Sequence, residues 1–206
     1  DVDSGNSGLV EEIPQEMVAQ YCRDQWRMDP EESAEWGGLQ WRIAPGNQQI
    51  AEKAHQLTDD KKTVYSKLKA IYDYLDQSLE YETGNPGLPK NCLQTLADGT
   101  GDCDDQSIVF CSMARAIGIP AWLEAGALYN FRSDVDYNGD GIADAWEGHA
   151  WANVYMPLED GDFLLATVDV VNDLFLVRDT NRFSEWMDDG NTERLEEYYT
   201  LWEYTY

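Results

Sequence analysis

Positive charge is scarce in this chain: 14 Lys and Arg stand against 40 Asp and Glu over 206 residues, for a formal net charge of -26. A surface so negative repels a phosphate backbone, which excludes nucleic acid and favours cationic or neutral partners or a salty medium. Long hydrophobic runs are also missing. The longest, such as FLLATVDVV, fall far short of the roughly 20 apolar residues a spanning helix requires, so no membrane insertion of this segment is expected. Histidine is reduced to His55 and His149, and cysteine to Cys22, Cys92, Cys103 and Cys111. No Cys or His pair has metal-binding spacing, which argues against zinc, and no organic cofactor is expected. No internal repeat is present, and 43% hydrophobic content is enough for one well-cored domain, read here as a monomer.

The chain opens on DVDSGNSG, and residues 1–12 read as a flexible acidic linker. A removed signal before Asp1 is consistent with this, so an extracellular or cell-surface location is expected, with the cytoplasm of a high-salt organism as the alternative. Residues 13–82 form a helical lead-in. Met17, Val18, Tyr21, Cys22 and Trp26 recur at helical spacing, and residues 27–46, rich in Gly, Pro and Trp, are expected to wrap the surface. Asn47 caps a helix carrying Ile50, Ala54 and Leu57. Thr58 with Asp59 and Asp60 opens the next, whose stripe is Val64, Leu68, Ile71, Tyr72, Leu75 and Leu79. Tyr65, Tyr72 and Tyr74 are read as packing residues.

Residues 83–180 are the expected core: a short helix with Leu93 and Leu96, a turn at Gly99 and Gly101, then a helix from Cys103 made almost wholly of small or apolar residues and ended by Gly118. Three β-like runs follow, AWLEAGALY, HAWANVYMP and DFLLATVDVV. One central helix against an antiparallel sheet is an α+β fold. Residues 181–206 read as a C-terminal helical and aromatic tail.

Chemistry concentrates at Cys103, placed by GDCDDQ at the mouth of that helix. Unpaired amides at a helix start favour thiolate, but Asp102, Asp104 and Asp105 crowd the sulfur with like charge, so the helix end alone is insufficient. An imidazole that takes the proton offsets this, and His149 is the candidate; His55 sits in an earlier helix and reads as a surface residue. Asp169 on the following strand is placed to hold the ring. Cys111, eight residues beyond Cys103, reads as core. An extracellular location would allow Cys22 and Cys92 to bridge, although sequence alone does not fix their connectivity.

Together GDCDDQSIVFCSMARAIGIPAW, GHAWANVYMP and the strand ending at Asp169 resemble the transglutaminase-like superfamily of papain-like Cys-His-Asp enzymes, of the microbial and archaeal type. The resemblance covers roughly residues 50–199. It implies a papain-like α+β fold with Cys103 as nucleophile, His149 as general base then acid, and Asp169 as the orienting carboxylate. The family often follows that Asp with Pro-Thr, whereas Val170 and Val171 stand here, so Asp173 remains an alternative. For the oxyanion, the Cys103 N–H and a side chain before it, Gln94 or else Asn91, are the candidates. Trp122, Trp146 and Trp151 are candidates for an acyl-binding groove.

Between the first two strands lies DYNGDGIADAWE, with oxygen ligands at the EF-hand spacing. Asp136, Asn138, Asp140, the Ile142 carbonyl, Asp144 and Glu147 are the expected ligands of a structural calcium ion. Glu147 is separated from His149 by Gly148 alone, so a bound cation would fix the start of the strand presenting the imidazole. The functional expectation is a cysteine acyl enzyme acting on amide bonds of a protein or peptide, peptide bonds or glutamine side chains. Hydrolysis is preferred to cross-linking, because the compact core carries none of the additional domains of cross-linking members. The rival is a catalytically inactive calcium-dependent interaction module on the same scaffold.

Overall fold

The computed structural model describes residues 3, 5–22, 42–82, 89–130, 136, 141–143, 145–178 and 181–190. Among them are five α-helices: α1 (Gln15–Tyr21), α2 (Gln48–Thr58), α3 (Val64–Ser78), α4 (Cys92–Asp98) and α5 (Cys103–Ala116). Two short parallel strands, β1 (Glu80–Tyr81) and β2 (Thr100–Gly101), stand apart from the main sheet. That sheet contains β3 (Ala121–Tyr129), β4 (Trp146–Pro157), β5 (Phe163–Asp169), β6 (Leu174–Val177) and β7 (Arg182–Met187). Its order is β6-β5-β4-β3-β7, with every neighbouring pair antiparallel. The α+β fold expected from the sequence is present.

The central helix α5 is buried along nearly its whole length, from Asp104 to Arg115; residues 108–114 are small or apolar apart from Ser112, whose hydroxyl bonds the Ile108 carbonyl at 2.7 Å. Ile108, Val109, Phe110, Cys111 and Met113 are all fully buried, in one core with Ala150, Ala152, Val154 and Met156 of β4. Small residues on β4 let the helix approach the strand closely. At the far end, Arg115 is buried with Asp188, bonding it through Nη2 and the Ala121 carbonyl through Nε. Asn47 caps α2 by accepting from Gln49 and Ile50, and Asn91 caps α4 in a reciprocal pair with Gln94.

Several expectations are corrected. Residues 1–12 are not all linker: Val10–Glu12 form a 3-10 turn, and Ser7 is buried and bridges to Leu158. The first helix ends at Tyr21. Thr58 does not open α3; it closes α2 with its hydroxyl on the Ala54 carbonyl at 2.7 Å, and Thr63 is the cap of α3. The segment 181–206 begins as a strand, β7, and its expected helical middle lies outside the described residues, as does most of 27–46. Strand β6 was not foreseen. All four cysteines are thiols, so no Cys22–Cys92 bridge forms. Among the described residues no helix is long and apolar enough to cross a membrane.

Candidate active site

Cys103 is the first residue of α5, and the acids around it build that helix start. Asp102 accepts from the Asp105 amide while Asp105 accepts from the Asp102 amide, both at 3.4 Å, a reciprocal cap that satisfies two backbone donors. The other Asp105 oxygen accepts from the Lys90 amide at 2.6 Å. Gly101 precedes the cap because a Cβ there would stand 2.7 Å from the Asp105 Cβ. Cys103 is itself only partly buried. Its thiol is nevertheless pushed well above its ordinary range, first by burial and then by the charges of Asp104 and Asp102. The Ala150 amide, donating toward the sulfur, acts the other way.

That amide belongs to the residue after His149. On β4, His149 is buried, and its Nε2 lies 2.7 Å from Oδ2 of Asp169 at the end of β5. An ionised carboxylate only accepts hydrogen bonds, so Nε2 is the donor of this pair. The same Asp169 oxygen accepts from Asn172 Nδ2 at 2.9 Å and from Arg182 Nη2 at 2.7 Å, and Oδ1 accepts from the Asn172 amide at 3.2 Å. Burial pushes the Asp169 carboxyl up, but the His149 bond and charge, the Asn172 amide and the Arg182 guanidinium outweigh it and hold the group at about 2. Trp151, two residues beyond His149, stacks on the imidazole with ring centroids 6.1 Å apart, and the Arg182 guanidinium carbon lies 5.1 Å from its ring centre.

Arg182 and Asn172 are the members that sequence reasoning missed. Arg182 arrives from β7, on the far side of β3 and β4 from Asp169, in the segment expected to be helical. The register of β7 slips between Ala125 and Gly126, and a Cβ on Gly126 would stand 1.9 Å from the Phe183 carbonyl oxygen, so the bulge beside Arg182 needs glycine. Asn172 had a readable signal: a short polar side chain in the turn just after the acid. Asp173, the alternative carboxylate, is exposed, and His149 bonds Asp169 instead.

Of the remaining candidates, Gln94 is exposed, with its side-chain oxygen accepting from the Asn91 amide at 3.1 Å. Asn91 in turn accepts from Leu93 and Gln94. Both side chains therefore cap α4. Trp122 and Trp151 are buried on neighbouring strands, whereas Trp146 is 49% exposed and packs on Tyr129 at the other end of β4. Within the expected calcium loop, Asp136 Oδ2 accepts from the Gly141 amide at 2.8 Å, Glu147 Oε1 accepts from Asn130 at 3.0 Å, and Ile142 is exposed. Asn138, Asp140 and Asp144 lie outside the described residues. Separately, Asp102, Asp104 and Asp105 bring carboxylate oxygens within 4.8 Å of one another, a grouping that could hold a metal ion, although two of the three already cap α5.

A buried helix opening on cysteine, packed on an antiparallel sheet that carries a His-Asp pair, defines the papain-like α+β class. Residues 51–165 match the transglutaminase-like superfamily core, and the chain belongs to that superfamily. It is 31% identical over 119 residues to YebA of Bacillus subtilis, a protein described only as uncharacterized; the match takes in 53% of this chain and 16% of YebA. Among solved structures, a Cytophaga hutchinsonii protein provisionally named a cysteine protease shares the fold at a TM-score of 0.53 and 19% identity, over 86% of this chain and 53% of that one. The periplasmic domain of TgpA from Pseudomonas aeruginosa is more distant, with a TM-score of 0.45 and 22% identity over 71% of this chain and 49% of that one.

Proposed function

We propose that this chain is a cysteine acyl enzyme that cleaves amide bonds in proteins or peptides. The observation that carries this reading is the buried His149 imidazole tied to Asp169 at 2.7 Å, on the strand that shares a core with the helix opening on Cys103. In the first step His149 Nδ1 takes the thiol proton and the sulfur bonds to the amide carbon. The C–N bond then breaks, and the amine leaves with the proton from His149. In the second step His149 deprotonates water, which attacks the acyl carbon; the C–S bond breaks, the acid is freed, and His149 returns the proton to the sulfur. Asp169 stays ionised throughout and stabilises the imidazolium. The cysteine-protease naming of the Cytophaga hutchinsonii structure favours water over a lysine amine as acceptor. A screen of peptide and glutamine amides with and without added amine is expected to give acid products in both arms. Product captured mainly by the amine overturns hydrolysis in favour of transfer.

The oxygen-only donor set at 136–147 suits calcium, whose role here is to fix the strand that begins beside Glu147 and carries His149. Asp136 Oδ2 already accepts from the Gly141 amide. Chelation is expected to lower turnover and melting temperature together. Unchanged turnover after complete calcium removal rejects the coupling.

One observation favours a second reading, a non-catalytic interaction module: burial and two acids drive the Cys103 thiol away from the reactive thiolate. Alkylation by iodoacetamide near neutral pH separates the two. Labelling of Cys103 that falls when His149 is replaced by Ala is the expected result. Labelling no faster than that of an ordinary exposed thiol establishes the module.

A further inference from the structure

The sheet face that bears His149 and Asp169 also bears a cavity of about 360 Å³, within the roughly 300–1,000 Å³ usual for ligand sites. Trp122 and Glu124 of β3 and Trp151 of β4 line it, with Tyr21 of α1 and Met187 of β7 beside them and Arg182 at the end toward Asp169. The register sets Glu124 directly between Trp151 on one neighbouring strand and Met187 on the other. Cys103 does not line the cavity.

Its charges are unequal. Arg182 is matched by Asp169 at 2.7 Å. Glu124 is half-buried, and among the described residues its one hydrogen-bond donor is the neutral Trp122 indole, at 3.0 Å. A carboxylate has about four acceptor positions, so most of those on Glu124 are left to an incoming group. Of the rings, Trp151 already meets Arg182 at 5.1 Å and Tyr21 meets Arg115 at 5.7 Å, so the partner for an incoming cation is the Glu124 carboxylate, with the Trp122 indole beside it. Tyr21 stands 5.1 Å from Trp122 and closes that side of the cavity.

We propose that this cavity is a recognition subsite for a cationic substrate side chain, of the lysine or arginine type. The charged end lies at Glu124 and the methylene stem runs between the indole and phenol rings. A neutral chain would fit the walls but strip water from Glu124 without replacing it, and an anion would meet that carboxylate directly. Since the sulfur is elsewhere, the cation is held for recognition and is not the attacking amine. The subsite rests on the acyl-enzyme reading above.

The test measures binding of Nα-acetyl-lysine amide and its neutral counterpart, Nα-acetyl-norleucine amide, to the Cys103→Ala protein by tryptophan fluorescence. The lysine compound is expected to bind about tenfold tighter. Glu124→Gln keeps an acceptor for the Trp122 indole, and is expected to erase most of that preference at unchanged melting temperature. Equal binding of the two amides, no binding of either, or a lysine preference that survives Glu124→Gln overturns the proposal. Alkylation of Cys103 in the otherwise unaltered protein runs in parallel. If His149-dependent labelling persists without lysine preference, the subsite alone fails. If labelling fails while the preference holds, the cavity binds cations on an inactive module and its role in substrate recognition is overturned.

Discussion

On the side of the sheet that meets α5, β4 contributes Ala150, Ala152, Val154 and Met156; on the other it contributes His149, Trp151, Asn153 and Tyr155. Both sets are buried, but for different reasons. The first set is dry packing, small enough to let a helix lie close. The second carries the polar pairs: His149 with Asp169, Asn153 with Thr167 at 2.9 Å, and Arg182 reaching Asp169 from β7. Side chains alternate along a strand, so one stretch of β4 seats the helix that carries Cys103 on one face and holds the imidazole on the other. One face supplies close packing and the other holds the His149–Asp169 pair.

The sharpest way to break the polar face is His149→Ala, expected to lower turnover by roughly 10⁴-fold with a much smaller loss of stability, measured by amide hydrolysis alongside thermal melting. Next is Arg182→Met, which removes one donor from a buried carboxylate that keeps three others, from His149 and Asn172. It is expected to cost about 2–4 kcal/mol, read from the denaturant midpoint. An unchanged midpoint would mean the guanidinium adds nothing to the network. Acid titration gives a smaller effect of known sign. Asp169 is held at about 2 against an ordinary 3.8, so its contribution is complete above pH 4 and is lost as pH falls through 2. Wild type should therefore lose about 2 kcal/mol more than Asp169→Asn across that window, followed by urea unfolding at stepped pH. The dry face gives the smallest change: Ala152→Val adds methyl groups under α5 and is expected to cost about 1 kcal/mol by melting. If it instead abolished turnover while leaving stability intact, the division between the two faces would be wrong.

Much of the helical framework was legible because the apolar residues of α3 and α5 repeat at the helical period, and the Asn47 cap could be read directly. Thr58 misled because T-D-D looks like a helix start, yet its hydroxyl is buried against the preceding turn. Strand β7 was hidden because RFSEWM does not alternate cleanly; it becomes a strand by pairing with β3 around a bulge. With β7 unread, Arg182 could not be placed beside Asp169.

What the residues alone determined was identity: a cysteine at a helix mouth, one histidine, a carboxylate on the next strand and a segment rich in oxygen-bearing side chains, all set by local spacing. Tertiary structure decided their company. The pairing of Arg182 with Asp169, the use of Asp102 and Asp105 as a cap, and the meeting of Glu124 with the tryptophans each join segments through strand order and register. Those are fixed by which faces can be buried together, and hydrogen-bond partners brought in from distant strands leave no period in the sequence.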